Sequence, residues 1–419
     1  MRIRVLMCLA TTLALVSVMA APAARAEEGA PEAAAEAPKD PTRGQWDAFL
    51  DPLRDTEDQV SGVQKTIEDK TKIHVSAGFS WPTWFHDFNN PNSGIISLHS
   101  LDPDDSSAEF NFGQLGMTRP SEGWYVPGFG LKLDVGRAAK RIKSDWNGDG
   151  TIDRGDTFEK NSFDVEEAYL TWTVPDDSPA LKGLTLKGGK FVTLLGAEVI
   201  EPWANPNFSR SFLFGFAIPF THTGGLVTYP VTDKLSLTGG LVLGWDNVAD
   251  NNNSPSFMGN ATYVATEMIT VAANGIYGPE QTGKVGPKRG VADLVTTIKP
   301  TSALTFLLNY DWGTEDQAVG GVSEAEWQGF AGIASYQFTD RLSAAARGEW
   351  FEDHDGVRTG IRQTLYEGTF TAKYLLTQHL WFRAEYRHDH STSSAAFEKE
   401  ASTRDYQNIA GFEFTYLFN

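Results

Sequence analysis

The chain has 419 residues and a formal net charge of −19, with 12 Trp, 12 Tyr, 26 Phe and 40 Gly. This acidic balance argues against nucleic-acid binding, which needs clustered positive charge. The single cysteine, Cys8, lies in a segment that we expect to be removed, so the sequence excludes disulfides, thiol catalysis and covalently attached haem from the mature protein.

Residues 1–26 have the pattern of a secretory signal peptide. Arg2 and Arg4 precede a run of apolar residues, and a small-x-small cleavage site ends at Ala26. The three arginines of this leader leave with it, which takes the net charge from −19 to −22. Acidic surface loops are the simplest explanation of that charge, and a cation-attracting pore or divalent-ion binding at the cell surface is the alternative.

Two short segments follow the leader. Residues 27–43 are rich in Ala, Glu and Pro without apolar periodicity, which predicts a disordered linker. Residues 44–71 carry apolar side chains at helical spacing, which predicts a short periplasmic helical segment that plugs, caps or trimerises the next domain. The two apolar faces consist of Trp46, Phe49, Leu50 and Leu53, and of Val60, Val63 and Ile67.

Residues 72–419 repeat a pattern of strands with alternating side chains, separated alternately by very short turns and by long polar loops. In the stretch from Arg341 to Trp350, the odd positions are mostly charged or polar and the even positions are apolar, so the two faces of a strand differ. We expect strands near 72–82, 108–118, 129–140, 163–174, 183–192, 221–230, 235–246, 256–266, 268–278, 288–299, 303–312, 325–338, 341–353, 361–375, 379–390 and 405–418.

No segment after residue 26 reaches the roughly 18 consecutive apolar residues that a membrane-spanning helix needs. The pattern therefore predicts an all-β fold, a transmembrane antiparallel β-barrel of about sixteen strands with a short N-terminal helical segment, inserted in outer-membrane lipids. An exported soluble β-sandwich is the alternative. Aromatic residues at both strand ends favour the barrel because they form girdles at the two membrane interfaces. The expected girdle residues are Trp245, Trp312, Trp350 and Tyr386 at one rim and Tyr229, Tyr336, Tyr374 and Tyr416 at the other.

Strand alternation places charges of both signs on the lumen side of the barrel. Such charges either solvate the wall and fix the register, or set a weak ion selectivity, as rings of charged side chains do in pores. The predicted lumen-lining charges are Lys132, Asp134, Lys187, Asp311, Arg347, Glu349, Glu367, Lys373, Arg383, Glu385, Arg387 and Glu413.

The segment 190–226 is too apolar for a free external loop, since exposed apolar patches usually mark contacts. Folding into the lumen would bury it and bring Glu198 and Glu201 opposite Arg210, where the three side chains would form a pore constriction. Packing at a subunit interface is the alternative.

The same segment, with its runs GKFVTLLGAEVIEP, NFSRSFLF and AIPFTHTG, resembles the putative β-barrel porin-2, OmpL-like, family of bacterial outer-membrane proteins. The resemblance implies a diffusion porin and supplies no substrate. Members commonly have Gly-Tyr-Glu where this chain has Gly196, Ala197 and Glu198, so a role for an aromatic residue there does not carry over.

Residues 145–156 read DWNGDGTIDRGD, with oxygen ligands at the spacing of a calcium-binding loop and Gly150 at its sharp turn. No paired helices flank this loop, and its last acid is an Asp instead of the usual Glu. We expect a structural Ca²⁺ that stabilises an external loop, and a plain polar turn is the alternative. The candidate ligands are Asp145, Asn147, Asp149, Thr151, Asp153 and Asp156.

These features together predict an outer-membrane porin for passive diffusion of small hydrophilic solutes and ions, in which a homotrimer is one open arrangement. A barrel that sheathes a partner such as an electron-transfer cytochrome, and a plugged surface or adhesin barrel, are the alternatives. Ser211 and His222 lie near each other in sequence, but there is no nucleophile elbow, metal-binding His pair or phosphate loop, so we expect no enzyme.

If residues 145–156 bind calcium, EDTA should lower the unfolding temperature or open the external loops to protease, because chelation removes folding free energy. Added Ca²⁺ should restore the original value. The variant Asp149→Ala should already behave like the chelated protein, and a wild type that does not respond to EDTA would contradict the site.

Overall fold

A computed structural model of the chain describes residues 47–418, apart from 102–103, 107, 109, 124, 143, 146–161, 176, 179–180 and 319–321. In this part of the chain, sixteen antiparallel strands form one closed barrel in which each strand pairs with its sequence neighbours. The first strand pairs with the last, Phe79 opposite Tyr416 and Trp84 opposite Phe412, so the sheet has no free edge. The predicted sixteen-stranded barrel is confirmed.

The barrel strands are β1 His74–Asp87, β2 Phe112–Arg119, β3 Gly128–Val135, β4 Phe163–Thr173, β5 Thr185–Val192, β6 Thr221–Pro230, β7 Leu235–Val242, β8 Ser256–Val264, β9 Ile269–Gly278, β10 Arg289–Ile298, β11 Leu304–Ala318, β12 Val322–Gln337, β13 Leu342–Asp353, β14 Gln363–Leu375, β15 Leu380–Ser391 and β18 Tyr406–Phe418. The short strands β16 Phe397–Lys399 and β17 Ser402–Arg404 form a separate hairpin in the loop before β18.

Strands β3 and β7 each end at least four residues earlier than the alternation predicts. Strand β3 ends at Val135 because Gly136, with a φ of 113°, turns the chain into the short helix α2, Arg137–Arg141. Strand β7 ends at Val242, and Trp245 beyond it lies between the guanidinium groups of Arg289 and Arg358, each 4.9 Å from its ring. The expectation that Trp245 belongs to a lipid-facing girdle is therefore wrong, because cation–π contacts hold the ring within the protein.

The N-terminal helix α1 runs over Asp47–Thr71 and confirms the expected helical segment. It contacts the end of the barrel that carries the short turns. The buried Glu57 carboxylate accepts a 2.6 Å hydrogen bond from the Thr377 hydroxyl, and Gln64 Nε2 donates a 2.6 Å bond to the Val75 carbonyl. Val60, Val63 and Ile67 are exposed on the helix. No helix among the described residues combines the length and the apolar character that crossing a membrane requires.

The strands present apolar side chains outward and polar ones inward. Phe257, Phe370 and Tyr386 on the outer face are 56%, 55% and 49% exposed, whereas Arg383 on the inner face is 1% exposed. Exposed aromatic residues outside and buried charges inside are the reverse of a soluble β-sandwich. This distribution is the one that a lipid environment stabilises.

Placing a charge on the outer face should therefore be costly. Phe370→Arg, near the middle of β14, should lower the free energy of unfolding by about 2–4 kcal/mol, measured by urea titration in lipid vesicles. Ser343→Arg, on the lumen side of the adjacent strand β13, is the control and should cost much less. Equal losses in the two variants would mean that the assigned faces are wrong.

Candidate functional site: a loop bound inside the lumen

The segment 193–220 between β5 and β6, called here the inner loop, lies inside the barrel. It contains a 3-10 helix at Pro202–Ala204 and a π-helix at Leu213–Ala217. Its residues hydrogen-bond or pack against inward-facing positions on β1 to β3 and on β11 to β15. A single segment can reach strands on so many sides of a closed barrel only from within.

Glutamates of the wall accept hydrogen bonds from the backbone of the inner loop. The Glu385 carboxylate accepts the N–H groups of Phe208 and Ser209, at 3.0 and 3.2 Å. The Glu349 carboxylate accepts those of Phe212 and Leu213, at 2.8 and 2.6 Å. These donors lack partners within the irregular loop, and buried backbone N–H groups without acceptors would be costly.

Arginines of the wall donate to carbonyls of the same loop. Arg347 Nη1 donates to Ser209 O at 2.7 Å, and Arg387 Nη1 to Arg210 O at 2.6 Å. Arg383 donates to the carbonyls of Pro202 and Asn205, each at 2.9 Å. The inner loop therefore has its backbone donors bound by acids and its backbone acceptors bound by guanidinium groups, and both kinds of bond are charge-assisted.

The same arginines form ion pairs with buried carboxylates. Arg347 contacts Glu198 of the inner loop at 2.7 Å and Glu367 of β14 at 2.9 Å. Arg387 contacts Asp389 at 2.7 Å, and Arg383 donates to Glu413 at 2.7 Å. Each of these side chains is at most 4% exposed. Buried charges of this kind are tolerated only when they are paired and hydrogen-bonded.

Apolar packing holds the other face of the inner loop. Phe212, Leu213, Phe214 and Ile218 are each at most 4% exposed and belong to one buried cluster with inward-facing wall residues. The wall members of that cluster include Phe112, Phe191, Leu226, Val242, Met258, Ile276, Val291, Trp327, Phe351 and Leu365. Gly78 on β1 leaves space for the loop, since a Cβ there would lie 2.8 Å from the ring of Trp203. The lumen thus contains a local hydrophobic core.

The three predicted constriction residues lie in the inner loop, and the contacts described for them here are with other residues. Glu198 accepts a bond from Ser211 N at 2.9 Å in addition to its pair with Arg347. Arg210 donates to the carbonyls of Val199, Ile200 and Phe208, at 3.0, 2.5 and 2.6 Å. These contacts stabilise the loop conformation.

Glu201 belongs to an acid cluster around one lysine. Lys132 Nζ lies 2.6 Å from Glu201, 3.2 Å from Glu166 and 3.1 Å from Glu167. Burial alone would raise the pKa of Glu201, but the Lys132 ammonium lowers it below its ordinary value. Glu201 is therefore a carboxylate that forms an ion pair with Lys132.

The remaining predicted lumen charges lie on the inner face of the barrel. Gln114 Nε2 donates to Asp134 at 3.0 Å, and Asn309 Nδ2 donates to Asp311 at 3.3 Å. Lys187 lies 4.2 Å from the Tyr169 ring centroid, and Lys373 lies 3.9 Å from that of Trp381. These contacts do not test ion selectivity, so the role of these charges in selecting ions stays a prediction.

Sequence reasoning missed several residues that bind the inner loop. Trp327 Nε1 donates to Ala217 O at 3.1 Å, and Arg358 Nε donates to Phe216 O at 2.6 Å. Asp246 accepts the N–H groups of Phe220 and Thr221, at 2.7 and 2.9 Å, where the loop rejoins the wall. Burial raises the pKa of Asp246 to about 6, although these two bonds oppose the rise. Arg358 and Asp246 lie in loops, where strand alternation carries no signal.

The residues of the calcium hypothesis fall mostly outside the described part of the chain, which includes Asp145 but not Asn147, Asp149, Thr151, Asp153 or Asp156. Asp145 pairs through its backbone with the loop after β7, donating to Asp246 O and accepting from Val248 N, both at 2.8 Å. Ser211 and His222 are not brought together by their described contacts, since the His222 ring nitrogens bind Gly244 O and Thr193 Oγ1.

A family model described as putative beta-barrel porin-2, OmpL-like, matches residues 75–418, which is most of the chain and includes every barrel strand. The chain belongs to this porin family. The porin-2 chain is accordingly an outer-membrane protein, and the family relation points to a channel without a chemical step. No curated protein sequence matches the chain at a significant level.

Solved porins share the fold of this porin-2 protein at low sequence identity. OprB of Pseudomonas putida has a TM-score of 0.56 and 12% identity, with 85% of this chain and 96% of that chain covered. An anion-selective porin from Comamonas acidovorans has a TM-score of 0.52 and 9% identity, with 83% and 100% covered. The trimer form of OmpT from Vibrio cholerae has a TM-score of 0.52 and 13% identity, with 83% and 99% covered. These likenesses establish the fold alone.

Removing the central guanidinium of the site should destabilise the porin. Arg347→Met leaves Glu198 and Glu367 buried without their cation, which should cost about 3–5 kcal/mol of unfolding free energy. The measurement is the urea midpoint of the purified barrel in detergent micelles. Arg362→Met changes an exposed arginine and is the matched control. If both variants unfold at the wild-type midpoint, the ion pairs do not hold the inner loop.

Proposed function

We propose that the protein is an outer-membrane porin through which small hydrophilic solutes and ions diffuse passively, with the inner loop setting the width of the lumen. The observation that carries this proposal is the inner loop itself, which is bound to the wall by wall glutamates and arginines. A loop held rigidly inside a barrel gives the pore a fixed size, which a sieve requires. Membership of a porin family supports the same conclusion.

The contacts of the inner loop argue against a barrel that sheathes a partner protein. A sheath needs a wide lumen, whereas here the loop packs against wall residues on many strands and narrows that space. The loop is also anchored too extensively to move aside, since its apolar residues and its backbone are both bound.

A plugged barrel is the second candidate, and one observation favours it. The apolar cluster of the inner loop continues onto Leu101, Ala138 and Phe397, which lie in the long loops between strands. An apolar core that extends to these loops would block solutes at that end until part of it moved. Conductance distinguishes this candidate from an open porin.

The buried arginines that bind the inner loop have a structural role in this proposal. Arg347, Arg383 and Arg387 are each at most 2% exposed and are bound to carboxylates and loop carbonyls, so they contribute little to the choice of ion. Selectivity would then depend on the partly exposed lumen lysines. A homotrimer, the assembly of the OmpT trimer form, stays a prediction for this chain.

The purified wild type should give steady ohmic single-channel steps in a planar bilayer. Glu349→Gln should raise the conductance and make it fluctuate, because an amide has one acceptor oxygen where the carboxylate used two for Phe212 and Leu213.

Glu352→Gln is the matched control, since Glu352 lies on the same strand and accepts from Gln328 Nε2 away from the loop. A silent wild type that is folded on a gel would favour the plugged barrel. Identical traces from wild type and Glu349→Gln would show that the inner loop does not limit the pore.

A further inference from the structure

A cavity of about 280 Å³ lies beneath the inner loop, at the end of the barrel with the short turns. Its lining comes from the inner loop at Asn205 and from the inner faces of β11 to β14. The lining combines alanine and proline side chains with hydroxyl and amide groups, and the residues described there include no Asp or Glu. Lys373 is the only formal charge among them.

The positive charge of Lys373 is not neutralised by an adjacent acid. Its ammonium lies 3.9 Å from the ring centroid of Trp381, a cation–π contact that orients the side chain and leaves its charge in place. The acid on the nearby strand β18 is Glu413, which accepts bonds from Arg383. No ion pair of Lys373 occurs among the residues that the structure describes.

Hydroxyl groups line the same cavity, and Ser343 is the register partner of Lys373 on the adjacent strand. Thr305, Ser335 and Ser343 line the cavity, and within the described part of the chain no protein group hydrogen-bonds to their hydroxyls. Each hydroxyl can donate one bond to a solute oxygen. A cavity whose described lining holds an ammonium group and hydroxyls, but no Asp or Glu, has the chemistry that binds an oxyanion.

We propose that this cavity is a binding site for small oxyanions, carboxylates or phosphate, with Lys373 as its cation and the hydroxyls of Thr305, Ser335 and Ser343 as donors. The site would give the pore a preference for anions even though the chain as a whole is acidic, because the local charge along the path decides selectivity. This inference rests on the proposed diffusion function, and it names the class of solute that would bind at the short-turn end of the barrel.

The test is a titration of inorganic phosphate, and separately of succinate, on the short-turn side of single channels in a planar bilayer. Both probes should reduce the wild-type current, and the reversal potential in a KCl gradient should indicate anion preference. Lys373→Gln should weaken the apparent affinity by about tenfold or more, the loss expected for one charge-assisted contact. Lys373→Arg should retain most of it.

Lys299→Gln is the matched control, because Lys299 is an exposed lysine in the turn before β11 and does not line the cavity. An equal loss of affinity in Lys299→Gln and Lys373→Gln would overturn the site in favour of a general surface field. Block by phosphate alone, or by succinate alone, would identify which oxyanion the site takes.

The failure of the site and the failure of the porin function give different results. A conducting wild type whose block is unchanged in Lys373→Gln overturns the site and leaves the porin function standing. A wild type that does not conduct would overturn the proposed porin function. In that case, calorimetric titration of phosphate into the folded protein in detergent tests whether the site binds oxyanions. Binding that Lys373→Gln abolishes would support it, and no measurable binding would overturn it.

Discussion

The architecture depends on hydrogen bonding between charged side chains of the wall and the backbone of one irregular segment. A loop whose regular structure is limited to two short helical turns leaves other backbone N–H and C=O groups without partners of its own, and these groups need acceptors and donors from the wall. Glu349 and Glu385 bind its amides, while Arg347, Arg383 and Arg387 bind its carbonyls. Positively and negatively charged side chains alternate along the inner faces of β13 and β15. Neighbouring donors and acceptors of the loop backbone therefore each find a partner of the right kind on the wall.

This arrangement changes how a charged lumen should be interpreted. Rings of charged side chains in a lumen can set ion selectivity, yet the inward-facing arginines and glutamates of β13 to β15 are almost fully buried here. Their charges are used in pairs and in backbone contacts. The lumen lysines Lys132, Lys187 and Lys373 are only partly buried, and Lys373 lines a cavity whose described lining contains no Asp or Glu. An acidic chain can therefore contain a cationic compartment.

The sequence predicts the barrel well and the loop contacts poorly, for a physical reason. Alternation with period two is imposed locally by the strand, so all sixteen strands and the inward direction of Arg347 follow from the residues nearby. The apolar content of the inner loop likewise indicates that it must be buried. The partner of Glu198 does not follow, because it lies on β13, 149 residues away, and only the closed barrel brings Arg347 to it. The prediction that Trp245 lies in a membrane girdle was wrong because β7 ends before this residue and two arginines hold its ring inside the protein.

The closure of β1 against β18 has a consequence for the order of assembly. The inner loop is synthesised well before β11 to β15, which bind much of it, since Pro202 and its donor Arg383 are 181 residues apart. Contacts of such long separation form late, because the chain between them must be ordered first. Phe208 and Phe212 therefore lack their contacts with Arg383 and Arg387 until the C-terminal strands arrive. During that interval the nascent chain presents an apolar segment that must be shielded in the periplasm, and the last strand completes the membrane wall and the binding surface for the loop in one step.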